Sequence, residues 1–311
     1  KNFSAIPIEE LSHASSGCSI KNVDNDFGID ETQLILFTSG TTGSPKAVAL
    51  SANNMIQNAN SWDKVLDFSE IDNYLCCLPL YHIGGLSIII RSLLYKFSVL
   101  IHQWNNIEKI IKNQLVYKTN LISVVPTMLE GLLKDDTGIE MASKYKAIIM
   151  SGGPASSKLL NKILHHKIPV YKSYGMTETS SGICGFWIND YPEKKLSVGL
   201  KHHSVELKII DNLLYVKSPM VMNGYANDTI KPDWFNTNDI AEIDSDGFIT
   251  ISMKDNGKII SGGINIDTKE IEQLLISHPL INKAEVKGEN DDKWGQRIIA
   301  YIDSDTIDEN Q

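Results

Sequence analysis

A run rich in glycine and hydroxyl side chains, placed directly after a short apolar stretch, constrains this chain more than any other feature. The run is Thr38-Ser39-Gly40-Thr41-Thr42-Gly43-Ser44-Pro45-Lys46, and it follows Leu34-Ile35-Leu36-Phe37. Glycines let the backbone approach a ligand closely, while successive N–H groups, hydroxyls and an ammonium attract a polyanion. A solvated turn is the simpler interpretation, but the lysine and the preceding strand favour a phosphate-binding loop. The glycine spacing excludes a Walker A loop.

Composition limits the classes of function. The chain has 311 residues, 42% of them hydrophobic, which is enough for more than one domain. A net charge of −9 argues against a nucleic-acid partner. The longest apolar tract, residues 86–101, is interrupted by Arg91 and Lys96 and is too short to span a bilayer. The four cysteines lack CxxC spacing and no signal peptide opens the chain, so we predict reduced thiols and a cytoplasmic protein.

The order of apolar runs predicts an α/β fold. From residue 33 to about residue 174, short β-rich runs alternate with amphipathic stretches, which predicts parallel βαβ units. The predicted strands cover residues 34–37, 74–78, 99–101, 121–125, 147–150 and 170–173. The predicted helices begin near Ser51, Gly84, Asn106, Pro126 and Ser156. Ser51 suits an N-cap and Pro126 suits a first helical turn.

The C-terminal third has a different texture. Short strands are predicted at residues 206–210, 213–216, 239–243 and 247–252, which indicates a β-rich, barrel-like subdomain. After the polar stretch 254–258, a helix over 268–277 and strands at 284–287 and 298–302 predict the start of a small α+β domain. We therefore predict a large domain over residues 1–253, divided into an α/β part (33–195) and a β-rich part (196–253). An incomplete small domain over 254–311 follows.

Six motifs in order resemble those of the adenylate-forming superfamily, which includes acyl-CoA synthetases, luciferases and nonribosomal-peptide adenylation domains. The first is the loop described above, with Ala47 in place of the usual glycine. The others are Pro79-Leu80-Tyr81-His82, Ser151-Gly152-Gly153-Pro154, Tyr174-Gly175-Met176-Thr177-Glu178-Thr179, Trp234-Phe235-Asn236-Thr237-Asn238-Asp239 with Asn238 for glycine, and a stretch from Ile259 to Glu272. The resemblance implies adenylation of a carboxylic acid by ATP.

The resemblance also implies a nucleotide site, residue by residue. The loop would hold the β- and γ-phosphates, Thr177 would form a hydrogen bond to the α-phosphate, and Glu178 would hold Mg²⁺. Tyr174 would stack on adenine, and Asp239 would accept the ribose hydroxyls. The implied nucleotide-binding set is Thr38, Ser39, Gly40, Thr41, Thr42, Gly43, Lys46, Gly152, Gly153, Tyr174, Gly175, Met176, Thr177, Asp239 and Lys254. The implied catalytic set is Lys46, His82, Thr177 and Glu178.

The acid pocket is implied around His82, with Gly84 and Ser173 as further substrate-binding residues. A lone histidine is usually a structural hydrogen-bonding residue. His82, however, matches the position where acyl-CoA ligases place an aromatic residue or a histidine beside the acyl carboxylate. No aspartate occurs between residues 79 and 86, which disfavours an amino acid substrate. The pairs His165-His166 and His202-His203 are interpreted as surface residues.

Among acyl-CoA ligases, the resemblance is closest to the o-succinylbenzoate–CoA ligases of menaquinone biosynthesis. The stretches that carry it are residues 78–87, Val221-Met222-Asn223-Gly224-Tyr225, residues 259–266 and Asp292-Lys293-Trp294-Gly295-Gln296. It implies formation of an acyl-adenylate and then of a CoA thioester, with ATP, Mg²⁺ and CoA taking part. Gly262 and Gly263 would line the CoA tunnel, and the small domain would rotate about Asn256. A homodimer is left open.

Departures from the family pattern keep other functions open. Lys254 replaces the family's arginine, Asn256 stands at a hinge that is usually aspartate or lysine, and the family's closing Gly-Lys does not occur before Gln311. The chain also begins close to the phosphate loop. Without the closing lysine we expect impaired pyrophosphate release but retained thioester formation from a supplied acyl-adenylate. The alternatives are another aryl- or acyl-CoA ligase, an adenylation enzyme that loads a carrier protein, and a degenerate nucleotide-binding protein.

Overall fold

The computed structural model describes residues 28–38, 45–104, 107–226, 231–252, 258–262, 264–278, 280–291 and 294–304. Its strands are β1 Thr32–Thr38, β2 Lys46–Ser51, β3 Asn73–Cys76, β4 Ser98–Ile101, β5 Leu121–Val124, β6 Ala147–Met150, β7 Val170–Met176, β8 Ser181–Trp187, β9 Leu200–Lys201, β10 Glu206–Ile210, β11 Leu213–Lys217, β12 Gly224–Tyr225, β13 Phe235–Ile243, β14 Ile249–Ser252, β15 Lys258–Ser261, β16 Ile264–Asp267, β17 Lys283–Asp291 and β18 Gly295–Asp303. Its helices are α1 Ala52–Leu66, α2 Ile83–Tyr95, α3 Ile107–Tyr117, α4 Pro126–Leu132, α5 Asp136–Ser143, α6 Ser157–His165 and α7 Thr268–Ile276. None of these described helices combines the length and apolar character that crossing a membrane requires.

A seven-stranded sheet forms the centre of the α/β part. Its strand order is β4-β3-β5-β6-β7-β8-β9. The pairs from β4 to β7 are parallel, as predicted, whereas β8 and β9 add antiparallel strands at one edge. Every residue of β5 and β6 is buried, which is the pattern expected where helices cover both faces of a parallel sheet. The predicted strand at 147–150 is confirmed, and the one predicted at 74–78 ends at Cys76.

The strand before the predicted phosphate loop lies outside this sheet, so the prediction of one parallel βαβ series beginning at residue 33 is wrong for its first strand. β1 pairs antiparallel with β2, with Thr38 opposite Lys46, and β12 pairs with the other edge of β2. The alternation of elements along a chain does not show which strands pair, and β2 continues into α1 without a turn. The predicted phosphate loop is therefore the connection of a β-hairpin.

The β-rich part packs two antiparallel sheets on one core, as the barrel-like prediction required. One is the β1-β2-β12 sheet, and the other has the order β10-β11-β13-β14. Val48 and Leu50 from the first sheet share a buried cluster with Leu214, Val216 and Ala241 from the second. Strand β10 has the predicted bounds, whereas β13 begins four residues earlier than predicted, at Phe235.

Helix α1 begins at the predicted cap and also anchors a distant part of the chain. The Ser51 hydroxyl accepts a hydrogen bond from the Asn54 N–H (3.1 Å), and the Asn54 side chain accepts one from the Ser51 N–H (2.9 Å). The Asn54 amide also donates to the carbonyls of Pro219 and Val221, both at 2.8 Å. These bonds hold residues 218–226, which we call the return segment because it leads the chain back to β2.

The other predicted helix starts agree with the structure where it describes them. Helix α2 begins at Ile83, one residue before the predicted Gly84, and α4 begins at Pro126. The Ser156 hydroxyl caps α6 by accepting from the Leu159 N–H. The start predicted near Asn106 lies outside the described residues.

The C-terminal residues form a separate sheet with the order β16-β15-β18-β17, beside which α7 packs. A side-chain oxygen of Glu272 on α7 accepts from the backbone N–H of Val286 on β17 at 2.8 Å. The predicted helix and two strands are present in this α+β unit, whereas β15 and β16 were not predicted. Residue 253, the predicted domain boundary, lies outside the described residues, so the boundary stays a prediction.

A glycine contact joins the seven-stranded sheet to the β-rich part. The Ile249 N–H donates to the Gly199 carbonyl (2.9 Å), and the Val198 N–H donates to the Ile249 carbonyl (2.7 Å). Gly199 has a φ of +100°, and a Cβ added there would lie 2.3 Å from the carbonyl carbon of Gly185. Both the backbone conformation and the space at this junction therefore require glycine.

We expect Gly199→Ala to lower the free energy of unfolding by about 3 kcal/mol or more, because backbone strain adds to a collision with backbone atoms. Gly247→Ala is the matched control. Gly247 also has a positive φ (+86°), but its nearest neighbour would be the Leu200 side chain at 3.5 Å. The control should lose only about 1–2 kcal/mol. Urea unfolding of both variants measures the difference, and equal losses would contradict the steric argument.

Candidate active site

Lys46, Tyr225 and Glu178 lie together at the base of the predicted phosphate loop. The Tyr225 hydroxyl donates to Oε1 of Glu178 at 3.2 Å, and the Lys46 Nζ lies 5.2 Å from the centre of the Tyr225 ring. Burial and the neighbouring Glu178 charge raise the pKa of Tyr225, so its hydroxyl remains a donor at neutral pH. The rest of the loop lies outside the described residues: Ser39, Gly40, Thr41, Thr42, Gly43 and Ser44.

Glu178 is positioned by a tight turn at the end of β7. Residues Thr177–Thr179 form one 3-10 turn directly after Met176. The Thr179 hydroxyl accepts from the Met176 N–H at 3.0 Å, and the Met222 N–H of the return segment donates to the Glu178 carbonyl at 2.8 Å. The turn is thus fixed both by its own side chain and by the return segment.

Tyr174 and Asp239 form a second tyrosine–carboxylate pair. The Tyr174 hydroxyl donates to Oδ2 of Asp239 at 2.6 Å, and burial together with the Asp239 charge raises the pKa of Tyr174 well above its usual value. The Asp239 N–H donates to the Thr237 hydroxyl at 3.1 Å. Asn238 has a φ of +58°, a left-handed conformation that asparagine adopts more readily than most residues. Asparagine can therefore replace the family's glycine without changing the backbone.

The glycine turn predicted to lie beside adenine follows β6. Because β6 and β7 are parallel neighbours, Gly152 and Gly153 lie at the same end of the sheet as Tyr174. The Ser151 N–H donates to the Val124 carbonyl at 3.2 Å, which ties the turn to β5. The predicted adenine-side residues therefore meet at one sheet edge, where open α/β sheets bind ligands.

His82 stands at the N-cap position of α2 with an exposed side chain that makes no capping hydrogen bond. Its backbone N–H donates to the Pro79 carbonyl at 3.1 Å, and its ring centre lies 4.6 Å from that of Tyr81. Gly84 follows in the first turn of the helix. Ser173 is buried in β7, and its hydroxyl already donates to the Cys184 carbonyl at 2.8 Å. The substrate-binding role of Ser173 stays a prediction.

Arg91 on α2 is a buried cation that the sequence analysis treated only as an interruption of an apolar tract. Its Nη2 donates to Oδ1 of Asn58 at 2.9 Å and to the Ser181 hydroxyl at 3.3 Å, and the guanidinium lies 4.7 Å above the Trp62 ring. Burial lowers the pKa of Arg91 to about 10, which leaves it charged at neutral pH. No ion pair to Arg91 occurs among the residues that the structure describes, and its Nε has no hydrogen-bond partner there.

Arg91 also lines a narrow crevice between α1, α2 and the turn that follows Glu178, with no room for a water molecule. Ser87 and Ser180 add hydroxyl groups to this crevice. Burying a charged side chain is costly unless that side chain is hydrogen-bonded and paired with a counter-charge. A ligand group could reach Arg91 only after neighbouring side chains moved, and the charge inside an otherwise apolar helix is the sequence signal that could have drawn attention to Arg91.

The surface interpretation of His202 is wrong. His202 is buried, its Nε2 lies 2.8 Å from the Tyr171 hydroxyl, and its ring packs edge-on against Trp62 with centres 5.1 Å apart. Burial, with a smaller contribution from the Arg91 charge, lowers the pKa of His202 to about 3, so the ring is neutral. His165 and His203 are exposed, as predicted.

The C-terminal unit faces the adenine-side turn across a shallow crevice. Asp291, Trp294 and Gly295 line one side of it, and Gly153, Pro154 and the first turn of α4 line the other. The Gly262 N–H donates to the Trp294 carbonyl at 2.9 Å, which places the first of the two predicted CoA-side glycines beside this crevice. Lys254, Asn256 and Gly263 lie outside the described residues.

Glu178 is the residue of the candidate site that is predicted to hold a metal ion. Within the described part of the chain, no group of three histidine, cysteine or acidic side chains could hold one. Mg²⁺ is commonly held by one or two carboxylates together with the phosphates of a substrate. A single partly buried carboxylate at Glu178 fits a metal ion that arrives with its nucleotide.

Comparison with known proteins agrees with this geometry. The 2-succinylbenzoate–CoA ligase of Bacillus cereus is 33% identical over 314 residues, which cover 96% of this chain and 65% of the relative. A double mutant of o-succinylbenzoate CoA synthetase from Bacillus subtilis, bound with a product analogue, superposes with a TM-score of 0.85 at 32% identity. That match covers 97% of this chain and 65% of the other. The B. subtilis synthetase in complex with ATP and magnesium ion gives 0.71 at 31% identity, over 96% of this chain and 65% of the other.

This chain thus spans about 65% of the length of these relatives. Residues 5–226 match the family described as AMP-binding enzyme, and this match contains the described residues of the candidate site except Thr237, Asn238, Asp239 and those of the C-terminal unit. The chain therefore belongs to the family of AMP-binding enzymes.

Proposed function

We propose that this chain belongs to an ATP-dependent acid–CoA ligase that adenylates 2-succinylbenzoate and transfers the acyl group to CoA. One observation carries the proposal. Lys46, a cation for phosphates, and Glu178, a carboxylate for magnesium, both contact Tyr225. Glu178 also lies in the turn directly after β7, the strand that carries Tyr174, and the Tyr174 hydroxyl donates to Asp239. A nucleoside triphosphate needs the lysine and the magnesium-binding carboxylate at its phosphates and the tyrosine–aspartate pair at its base and sugar.

In the first half-reaction, a carboxylate oxygen of the acid bonds to the α-phosphorus while the bond to pyrophosphate breaks. Lys46 and the hairpin loop would hold the β- and γ-phosphates, and Thr177 would donate to the α-phosphate. Bound Mg²⁺ would offset phosphate charge. Glu178 would hold that ion, and this chain's own residues would act mainly by positioning the reactants and by stabilising charge.

The nucleoside end would lie against β7. Tyr174 offers a ring face to adenine, while its hydroxyl holds one oxygen of Asp239. A carboxylate has about four acceptor sites on its two oxygens, so Asp239 can still accept two ribose hydroxyls. The Tyr174 hydrogen bond would keep the carboxylate turned toward the sugar.

The acid would bind between the start of α2 and the crevice beside Arg91. The B. cereus relative is named for 2-succinylbenzoate, which carries two carboxylates, and only one of them is activated. The exposed His82 would lie near the activated carboxylate. Arg91, which lacks an ionic partner among the described residues, would offset the charge of the other once the side chains around its narrow crevice move to admit that carboxylate.

In the second half-reaction, the CoA sulfur would bond to the acyl carbon while AMP leaves. The TM-score of 0.85 with the complex of a product analogue, against 0.71 with the ATP complex, supports an arrangement of the C-terminal unit suited to this step. The crevice beside Gly262 and Trp294 would admit the thiol arm. Rotation of the unit about Asn256 between the two steps is part of the proposal.

The three described cysteines support a reducing compartment, and we propose the cytoplasm. Cys76, Cys77 and Cys184 are all buried and free. Burial raises the pKa of each thiol, so they remain protonated and unreactive at neutral pH.

The phosphate assignment predicts that Lys46→Ala weakens binding of ATP with Mg²⁺. Loss of one charge-assisted contact should cost about 1.5–3 kcal/mol, which is roughly a 10- to 150-fold rise in Kd. AMP, which lacks the β- and γ-phosphates, should bind the variant almost as well as it binds wild type. Isothermal titration calorimetry with both nucleotides measures this.

Lys208→Ala is the matched control for Lys46→Ala. Lys208 is also partly buried and lies over an aromatic ring, 3.9 Å from the centre of Trp234, but it belongs to strand β10, away from the predicted loop. The control should bind both nucleotides like wild type. Unchanged ATP affinity in Lys46→Ala, or an equal loss in the control, would refute the phosphate role.

The ribose assignment predicts a different pattern for Asp239→Asn. The amide keeps the shape but loses one acceptor and the charge, so ATP and AMP should both bind about tenfold more weakly. Inorganic pyrophosphate, which has no ribose, should bind the variant and wild type with the same inhibition constant in competition with ATP. A loss confined to ATP would place Asp239 at the phosphates instead.

The acid assignment predicts that 2-succinylbenzoate stimulates ATP–pyrophosphate exchange, and that amino acids do not, in a protein that extends beyond Gln311 to the family's closing Gly-Lys. Benzoate, with a single carboxylate, should require a higher concentration because it leaves Arg91 without a counter-charge. Exchange with amino acids only would refute the ligase proposal. Exchange with another aryl acid but not with 2-succinylbenzoate would support the ligase proposal and refute 2-succinylbenzoate as the substrate. Nucleotide binding without any exchange would favour a degenerate binding protein.

A further inference from the structure

The return segment connects the two sheets that carry the charged groups of the site. Its Met222 N–H donates to the Glu178 carbonyl (2.8 Å), while the N–H groups of Asn223 and Ala226 donate to carbonyls on β2 at 2.9 and 2.8 Å. Lys46 begins β2, and Glu178 lies in the turn after β7. A single stretch of chain therefore sets the separation between the two groups.

The return segment is itself firmly held. Asn54 donates to the carbonyls of Pro219 and Val221, and the Ser180 hydroxyl donates to the Met220 carbonyl at 2.8 Å. Met220, Val221 and Met222 are each at most 2% exposed. Buried and fully bonded backbone of this kind moves little, so it can serve as a fixed support for the side chain that follows it.

That side chain is Tyr225, which lies between Lys46 and Glu178. Tyr225 pairs with Val48 across the two strands, and side chains two residues apart on a strand share a face. Lys46 therefore extends on the same face as Tyr225, with its Nζ 5.2 Å from the ring centre. The hydroxyl of the same Tyr225 side chain donates to Glu178.

A direct Lys46–Glu178 ion pair would occupy both groups and leave neither for a ligand. None of the ion pairs among the described residues includes either of them. The Tyr225 ring offers the ammonium a weak cation–π contact, and the hydroxyl offers the carboxylate a neutral donor. Both contacts orient a charge without neutralising it.

We infer that Tyr225 is a positioning residue that keeps Lys46 and Glu178 apart and aims both at a metal–nucleotide complex. The inference rests on the proposed function. Tyr225 itself touches Glu178 rather than the reacting atoms, so its effect reaches the ligand through the carboxylate. It resembles the outer groups that orient the ligands of metal sites, whose loss typically weakens metal affinity 10- to 100-fold.

Tyr225→Phe tests the inference because it removes the hydroxyl and keeps the ring. We expect the Mg²⁺ concentration needed for half-maximal ATP binding to rise about tenfold. ATP binding in excess chelator, which depends on Lys46 but not on the metal, should change less than about twofold, since the cation–π contact remains. Fluorescence or calorimetric titration of ATP at a series of Mg²⁺ concentrations measures both quantities without any turnover.

Tyr215→Phe is the matched control. Like Tyr225, Tyr215 lies on a strand, and its hydroxyl takes part in a hydrogen bond, which it accepts from the Asn236 amide at 3.1 Å. The centre of its ring lies 5.9 Å from the Lys208 ammonium. The control should match wild type at every Mg²⁺ concentration. Thermal unfolding of both variants checks that the fold is retained.

A double-mutant cycle separates positioning from a general structural effect. In a Glu178→Gln background, Tyr225→Phe should cause no further shift in Mg²⁺ dependence, because the carboxylate it orients is absent. Independent, additive shifts would overturn the inference. So would a Tyr225→Phe variant that binds like wild type, or one that loses affinity equally with and without Mg²⁺. A wild-type chain that binds no ATP would instead overturn the proposed function, and this inference with it.

Discussion

The backbone hydrogen bonds of the return segment are the constraint on which the rest of the site depends. Lys46 belongs to a three-stranded antiparallel sheet, and Glu178 follows a strand of the seven-stranded sheet. Neither sheet contains both groups. The bond from Met222 to Glu178 joins the two parts of the site, and the bond from Asn223 to Ala49 holds the return segment on β2. Removal of one partner from either bond would leave a buried polar group unpaired. That penalty keeps the two halves of the site in register.

The site uses one electrostatic arrangement twice. Tyr174 donates to Asp239 and Tyr225 donates to Glu178, and in both pairs burial and the nearby negative charge raise the pKa of the tyrosine. A neutral donor orients a carboxylate but leaves its charge in place. In a chain with a net charge of −9, such local control matters, because the long-range field repels an anionic nucleotide. Attraction must come from the hairpin loop and its lysine at short range.

The C-terminal unit adds a second surface to the same sheet edge. Trp294 and Asp291 face the turn at Gly153 and Pro154, so a ligand in that crevice would contact both parts of the chain. Contacts of this kind depend on the position of the small unit, whereas the Lys46–Tyr225–Glu178 contacts lie within the larger part. Under the proposed function, the Lys46–Tyr225–Glu178 contacts would position the nucleotide, and the crevice beside the C-terminal unit would serve acyl transfer.

Residue types and their spacing were enough to select several of the residues that lie together in the structure, and the roles of those residues stay predictions. The motifs around Lys46, Glu178 and Asp239 carry the groups that the structure brings together, and the Ser51 cap and the 147–150 strand were correct because they depend on neighbouring residues. Asn238 differs from the family's glycine, and only its φ of +58° showed that the backbone conformation survives the difference. Helix caps, short strands and the conformations of single residues depend mainly on neighbouring residues in the sequence.

The sequence by itself determined the α/β class, the family and the identity of the charged groups, since these follow from local patterns and ordered motifs. Only the tertiary structure decided that β1 pairs with β2 outside the parallel sheet, that His202 is buried, and that Tyr225 lies between Lys46 and Glu178. Strand pairing and burial are decided by contacts between residues far apart in the chain, and hydrophobic packing and hydrogen bonding across sheets select among many pairings that the local pattern permits equally.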